Sequence, residues 1–267
     1  MLYRKTSPTG VTFYASPLLE RVGVPHAFST RLGGISRAPF DSLNLGNPNG
    51  CAVQDAYEHV WENYRILQAA AGCAGGELCH VHQVHGAAVV RAEAGKPFDT
   101  SGKADAIVTA DPARVVAVRV ADCAPVLLAS DNGRAVAAVH AGWRGVIAGV
   151  LITALQEMRG VADISPARCV AAIGPCIGPE AFEVGPEVLE EFAKAFGATA
   201  PARRRADGKG SVDLREAVRL QLVAAGVEAD QIDVSDRCSY RDAGEFFSHR
   251  RDNGVTGRMA AIIAPKA

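Results

Sequence analysis

RVVAVRVADCAPVLLASDNGRAVAAVHAG, residues 114–142, contains three short apolar runs separated by turn residues. Valine is β-branched and favours a pleated, half-buried surface, so each run reads as a strand. The same signature continues upstream in LCHVHQVH (78–85), AAVVRA (87–92) and ADAIVTA (104–110). Downstream it returns in RCVAAIG (168–174) and RMAAIIA (258–264), and Val11–Ala15 and His26–Thr30 read as strands near the start. Helical spacing takes over at the flanks. Asp55 to Ala71 carries Tyr57, Val60, Tyr64 and Leu67 on one face, with Gly72 as its stop. Val146 to Met158 reads as one buried helix closed by Gly160. Residues 186–196 and 213–225 read as amphipathic helices, the second capped by Ser211. Residues 31–48, RLGGISRAPFDSLNLGNP, read as an ordered loop, a length of irregular chain that is usually functional. Central strands with flanking helices predict an α/β (α+β) fold in layers.

Composition narrows the function classes. The chain has 267 residues, enough to bury a sizeable core, with 48% hydrophobic and 21% charged residues. Formal net charge is −1 and the basic residues form no block, so neither nucleic acid nor a membrane surface is expected as a partner. Arg203-Arg204-Arg205 reads as a solvated loop. Seven cysteines, an odd number with no CxxC pair, predict reduced thiols and a cytoplasmic setting. No repeat or linker divides the chain, so residues 1–267 are expected to form a single domain, with a monomer as the default.

Chemistry gathers at strand ends. His80, His82 and His85 fall within six residues; strand alternation puts the first two on one face and Gln83 with His85 on the other. Spacing does not choose between the pairs. Cys123 lies in Val120-Ala121-Asp122-Cys123-Ala124-Pro125, where the proline is expected to break the strand. His140 closes another run before Ala141-Gly142-Trp143-Arg144-Gly145. One thiolate with two imidazoles suits zinc, with copper the weaker match. Three protein ligands would leave a position open, as catalytic sites do. Buried cysteine is more often a small hydrophobe, and no local pair has a standard zinc spacing.

The runs QVHG (83–86), ADCAPV (121–126), VHAGWRG (139–145) and IGPCIG (173–178) resemble the laccase-domain family, also labelled multicopper polyphenol oxidase or purine nucleoside phosphorylase. FSTR (28–31), SLNLG (42–46), FFSHRRD (246–252) and TGRM (256–259) extend the resemblance over nearly the whole chain. Ser239 after Cys238 stands where the pattern has threonine. The resemblance implies a zinc site of His85, Cys123 and His140, with His80 and His82 at the surface or behind the ligands. It implies a layered α-β-β-α sandwich with mixed sheets, similar to the catalytic domain of cytotoxic necrotizing factor toxins. It also implies phosphorolysis of adenosine, inosine and methylthioadenosine, with deamination of adenosine.

Deamination suits a three-ligand zinc, which acidifies bound water. Asp122, beside a ligand, is a candidate to orient it or carry protons, or equally to cap a turn. Phosphorolysis needs an anion clamp, for which Arg31 and Arg144 are candidates, and Asn44 is a candidate for sugar or phosphate. The HxE…PCxxC pattern of nucleobase deaminases is missing, as are HExxH, GxSxG, Walker A and GxGxxG motifs. A multicopper cluster needs more imidazoles than seven scattered histidines supply, and the three methionines are poorly spaced for a blue-copper axial ligand. The rivals are a metal-free Cys123–His140 hydrolase, a copper-dependent polyphenol oxidase and a nucleotide- or protein-binding module.

Overall fold

Val115 to Val120 alternates between two apolar surroundings, and that alternation sets the architecture. Val116, Val118 and Val120 point into one cluster with Phe28, Leu127, Ala129 and Ile263, while Val115 and Ala117 point into another with Val60, Leu67 and Ile262. A strand apolar on both faces must be covered on both sides. The computed structural model, which describes residues 1–48 and 50–267, covers it with a second sheet and with a helix.

One six-stranded sheet runs Tyr3–Thr6, Thr12–Ala15, His26–Ser29, Met259–Ile263, Arg114–Val120, Glu77–Cys79. The other runs Ile232–Val234, Cys169–Ile173, Ala124–Ser130, Val136–Ala141, Ala106–Thr109, Val89–Arg91. Both are mixed: Glu77–Cys79 pairs parallel to Arg114–Val120, whereas Met259–Ile263 pairs antiparallel to it. The helix Tyr57–Ala71 covers the outer face of the first sheet. Val150–Ala162, Pro186–Phe196 and Leu214–Ala224 cover the second through Leu155, Met158, Phe192 and Leu222. The order is therefore α-β-β-α, as expected. A small sheet of Glu183–Val184, Gly210–Val212 and Ala202–Arg204 lies beside the helical layer. Among the described residues no helix is long and apolar enough to cross a membrane.

Four local expectations are corrected. Only Leu78 and Cys79 of LCHVHQVH belong to a strand, Glu77–Cys79, so its histidines do not alternate on a pleat. The helix expected over Val146–Met158 is two, Trp143–Ile147 and Val150–Ala162; Gly149 at φ 83 turns the chain between them, and the second runs through Gly160. Asp213, not Ser211, caps Leu214–Ala224, its carboxylate accepting the Glu216 N–H, while Ser211 sits in a strand. Pro125 does not break a strand. It is the second residue of Ala124–Ser130, and the break falls before it, where the chain leaves one sheet for the other.

Leu127 has no exposed surface and lies between the sheets. Leu127→Ala is expected to cost about 2–5 kcal/mol in urea unfolding. A loss under about 1 kcal/mol would mean the sheets do not depend on this layer.

Candidate metal centre

The centre is built where the chain crosses between sheets. Ala121-Asp122-Cys123 links Arg114–Val120 of one sheet to Ala124–Ser130 of the other, which sets Cys123 at the seam. His140 is the penultimate residue of Val136–Ala141 and pairs across with Pro125. His85 arrives from an irregular segment at φ 60, a left-handed conformation uncommon outside glycine. One ligand atom from each of His85, Cys123 and His140 lies within 4.8 Å of the others, and the two imidazole rings meet edge to face at 4.9 Å. Among the described residues no other group of three His, Cys, Asp or Glu side chains is so gathered. Gly142 lets them meet: a Cβ there would stand 2.9 Å from His85 Cδ2 and 3.1 Å from Cys123 Sγ.

Asp105 holds this arrangement from behind. Its side chain has no exposed surface, and its Oδ1 accepts from His140 Nδ1 at 2.8 Å and from the His85 N–H at 2.9 Å. Oδ2 accepts the N–H groups of Gly86 at 2.6 Å and Val84 at 3.3 Å. Burial alone would raise this carboxyl, but His140 and these N–H donors outweigh it and keep the group ionised. With Nδ1 donating to Asp105, His140 turns Nε2 to the centre. Burial likewise pushes the Cys123 thiol up, yet His140 and His85 together bring it down, so the thiolate is favoured. A thiolate and two imidazoles, one oriented by a carboxylate, match the donor set and outer support of a zinc site.

These side chains open onto a cavity of about 350 Å³, with Trp143 and Phe182 on its walls. The sequence model of the multi-copper polyphenol oxidoreductase laccase family matches residues 25–266. The chain belongs to that family. Within reach of this laccase-family chain, purine nucleoside phosphorylase YfiH of Escherichia coli (strain K12) is 43% identical over 241 residues, 90% of this chain and 93% of its own. A purine nucleoside phosphorylase of Deinococcus radiodurans is 40% identical over 249 residues, 92% of each chain. The crystal structure of YlmD from Geobacillus stearothermophilus superposes with a TM-score of 0.87 at 31% identity, covering 100% of both chains.

The remaining expected residues of the laccase-family chain divide. Arg144 lines the cavity, its guanidinium 4.3 Å above the Trp143 ring. Asp122 also lines it, at φ 90, but both oxygens are engaged, one by Ser239 Oγ at 2.6 Å and one by the Arg250 N–H at 2.7 Å. It ties the cavity wall together. Arg31 is not among the lining residues. It binds Asp41 through both backbone and side chain and lies 4.6 Å over the Phe247 ring. Asn44 is fully buried, its Oδ1 accepting the N–H groups of Gly46 and Arg258. Neither residue is among those lining the cavity. His80 is half-buried, stacked 6.4 Å from Tyr64, and burial then Arg119 lower its imidazole to about 4. His82 is exposed on the cavity lining.

Asp105, Arg119, Arg250 and Arg258 were not anticipated. Asp105 immediately precedes the strand Ala106–Thr109 in ADAIVTA, where a lone carboxylate looks like turn chemistry. Arg258 lies inside TGRM and had a motif to find it by.

Asp105→Asn leaves the volume unchanged but sets an NH2 against two N–H donors. Zinc affinity, measured by chelator competition, is expected to fall about 10–100-fold. An unchanged affinity would mean Asp105 does not act on the centre.

Proposed function

We propose that this chain is a metal-dependent purine nucleoside phosphorylase, with zinc on His85, Cys123 and His140, that also deaminates adenosine. The observation that carries the reading is convergence of two imidazoles and a thiol on the wall of a nucleoside-sized cavity. The names borne by relatives covering nine-tenths of the chain support it. Adenosine, inosine and methylthioadenosine are the proposed nucleosides, and inorganic phosphate the second substrate. A bound zinc ion supplies Lewis acidity at neutral pH. The chain's own part is to hold the nucleoside between Trp143 and Phe182, fix His140 through Asp105, and keep the Asp122 wall in place through Ser239 and Arg250. We place the enzyme in the cytoplasm as a monomer, in keeping with seven free cysteines.

Copper fits less well. Met259 Sδ accepts the Phe247 N–H and Met158 is buried against the second sheet, so neither offers an axial thioether. One observation favours a metal-free hydrolase as second reading: Cys123, His140 and Asp105 stand in the order nucleophile, base and orienting carboxylate. Metal content separates the two. About one zinc per chain in fresh protein supports the first reading; a metal-free protein with rapidly alkylated Cys123 supports the second.

Adenosine incubated with phosphate is expected to yield adenine and ribose 1-phosphate, and adenosine without phosphate only inosine. His85→Ala should abolish both reactions, whereas His80→Ala should keep most activity. Equal losses from the two substitutions would place the centre elsewhere in 80–85.

A further inference from the structure

Two of the cavity's arginines stand where like charges do not gather without a reason. Arg119 is on the strand Arg114–Val120, and Arg258 immediately precedes Met259–Ile263, which pairs with it; Ala260 lies opposite Arg119. Both residues line the cavity and both are half-buried. Among the described residues their side-chain hydrogen-bond partners are backbone carbonyls: Val81 for Arg119, and Thr256 and Gly257 for Arg258. Neither has a carboxylate partner. Burial first, with the charge of Arg119 adding to it, depresses the Arg258 guanidinium, while Asp122 and Cys123 act to raise it. Arg258, Arg119 and the three residues of the metal centre all line the same cavity.

The surrounding chain holds this pair in place. Gln83 clamps the Arg119 backbone from both sides, Nε2 to its carbonyl and Oε1 from its N–H, each at 2.8 Å. Asn44 Oδ1 accepts the Arg258 N–H at 2.9 Å. Gly46 leaves room for both stems: a Cβ there would lie 2.8 Å from Arg119 Cδ and 3.6 Å from Arg258 Cβ. Arg144 and Arg250, by contrast, are exposed and lie against Trp143 and Phe182.

We propose that Arg119 and Arg258 form the anion subsite of this cavity, a two-guanidinium clamp for a phosphoryl dianion. That the dianion is the phosphate co-substrate rests on the phosphorolysis reading above. In that reaction a phosphate oxygen bonds to C1′ as the C1′–N9 bond breaks. The bonding pair leaves with the purine, and the proton of the phosphate ends on the base. Guanidinium forks match such oxygens two at a time. The clamp would hold the anion beside the metal centre.

The test titrates zinc-loaded protein with inorganic phosphate alone, read by calorimetry or ³¹P line width, then with adenosine 5′-monophosphate. Wild type and Arg134→Gln, an exposed control, are expected to bind phosphate alike. Arg119→Gln and Arg258→Gln should each weaken it about 10-fold or more, and raise the KM for phosphate with little change for adenosine. Arg258→Lys, which keeps the charge but loses the fork, should fall between and guards against a folding defect. Unchanged phosphate binding in both glutamine variants would overturn the subsite. Binding of the monophosphate but not of phosphate, lost in the variants, would keep the clamp and overturn its assignment to a co-substrate. Phosphate bound through the clamp with no ribose 1-phosphate formed would leave the subsite standing and sink phosphorolysis instead.

Discussion

A carboxylate with no exposed surface is costly unless its oxygens are fully paired, and Asp105 meets that condition with four N–H donors. Three of these are successive backbone groups, Val84 to Gly86, curled around it as a small anion-binding concavity. The fourth is the ring of His140, whose own N–H also donates to the Asp105 carbonyl at 2.7 Å. One side chain thus fixes the segment that delivers His85 and the orientation of His140. The two imidazoles come from distant parts of the sequence, yet their spacing is set by a single buried group.

Cys123 reaches the same point by a different route. It belongs to the crossover between sheets, and the layers can be close-packed there only if the chain turns sharply. Asp122 takes that turn at φ 90, and His85 carries its own left-handed conformation at φ 60. Strain of this kind costs on the order of 1–3 kcal/mol per residue and persists only when neighbours over-determine it. Ser239 and the Arg250 N–H hold Asp122; Asp105 holds His85. Two strained residues beside one cluster of donors is the pattern of a functional site, where geometry outweighs local comfort.

The layers were legible in the sequence because apolar alternation and layered packing are the same fact seen twice. Val116 and Val115 face different cores, so the run reads as a strand and also demands cover on both sides. Legibility failed where long-range contacts override local pattern. His80 to His85 looks like a strand continuing Glu77–Cys79, but Asp105, twenty residues on, pulls the backbone out of the ladder. Val146–Met158 reads as one helix because periodicity is blind to Gly149, whose φ of 83 ends one helix and begins another. Motif resemblance pointed to His85 where alternation left two pairs open, and the structure brings that imidazole to Cys123. It could not separate Arg258, which faces the cavity, from Arg31, whose guanidinium is spent on Asp41 and Phe247.

The distribution of charge around the cavity bears on which chemistry the site favours. The centre itself carries the negative groups, the Cys123 thiolate and Asp105, and these are answered by imidazoles and backbone N–H groups at hydrogen-bond distance. Four arginines line the cavity against one aspartate, whose oxygens are already occupied. A half-buried guanidinium with no hydrogen-bonded carboxylate keeps part of its desolvation cost until an anion arrives. Hydrolytic deamination brings together a nucleoside and water, both neutral, and recovers none of that cost. Phosphorolysis brings a dianion, whose binding repays desolvated guanidiniums at the moment the second substrate is needed. Among the described residues neither Arg119 nor Arg258 hydrogen-bonds a carboxylate, a pattern better matched to a reaction that consumes phosphate than to one that consumes water.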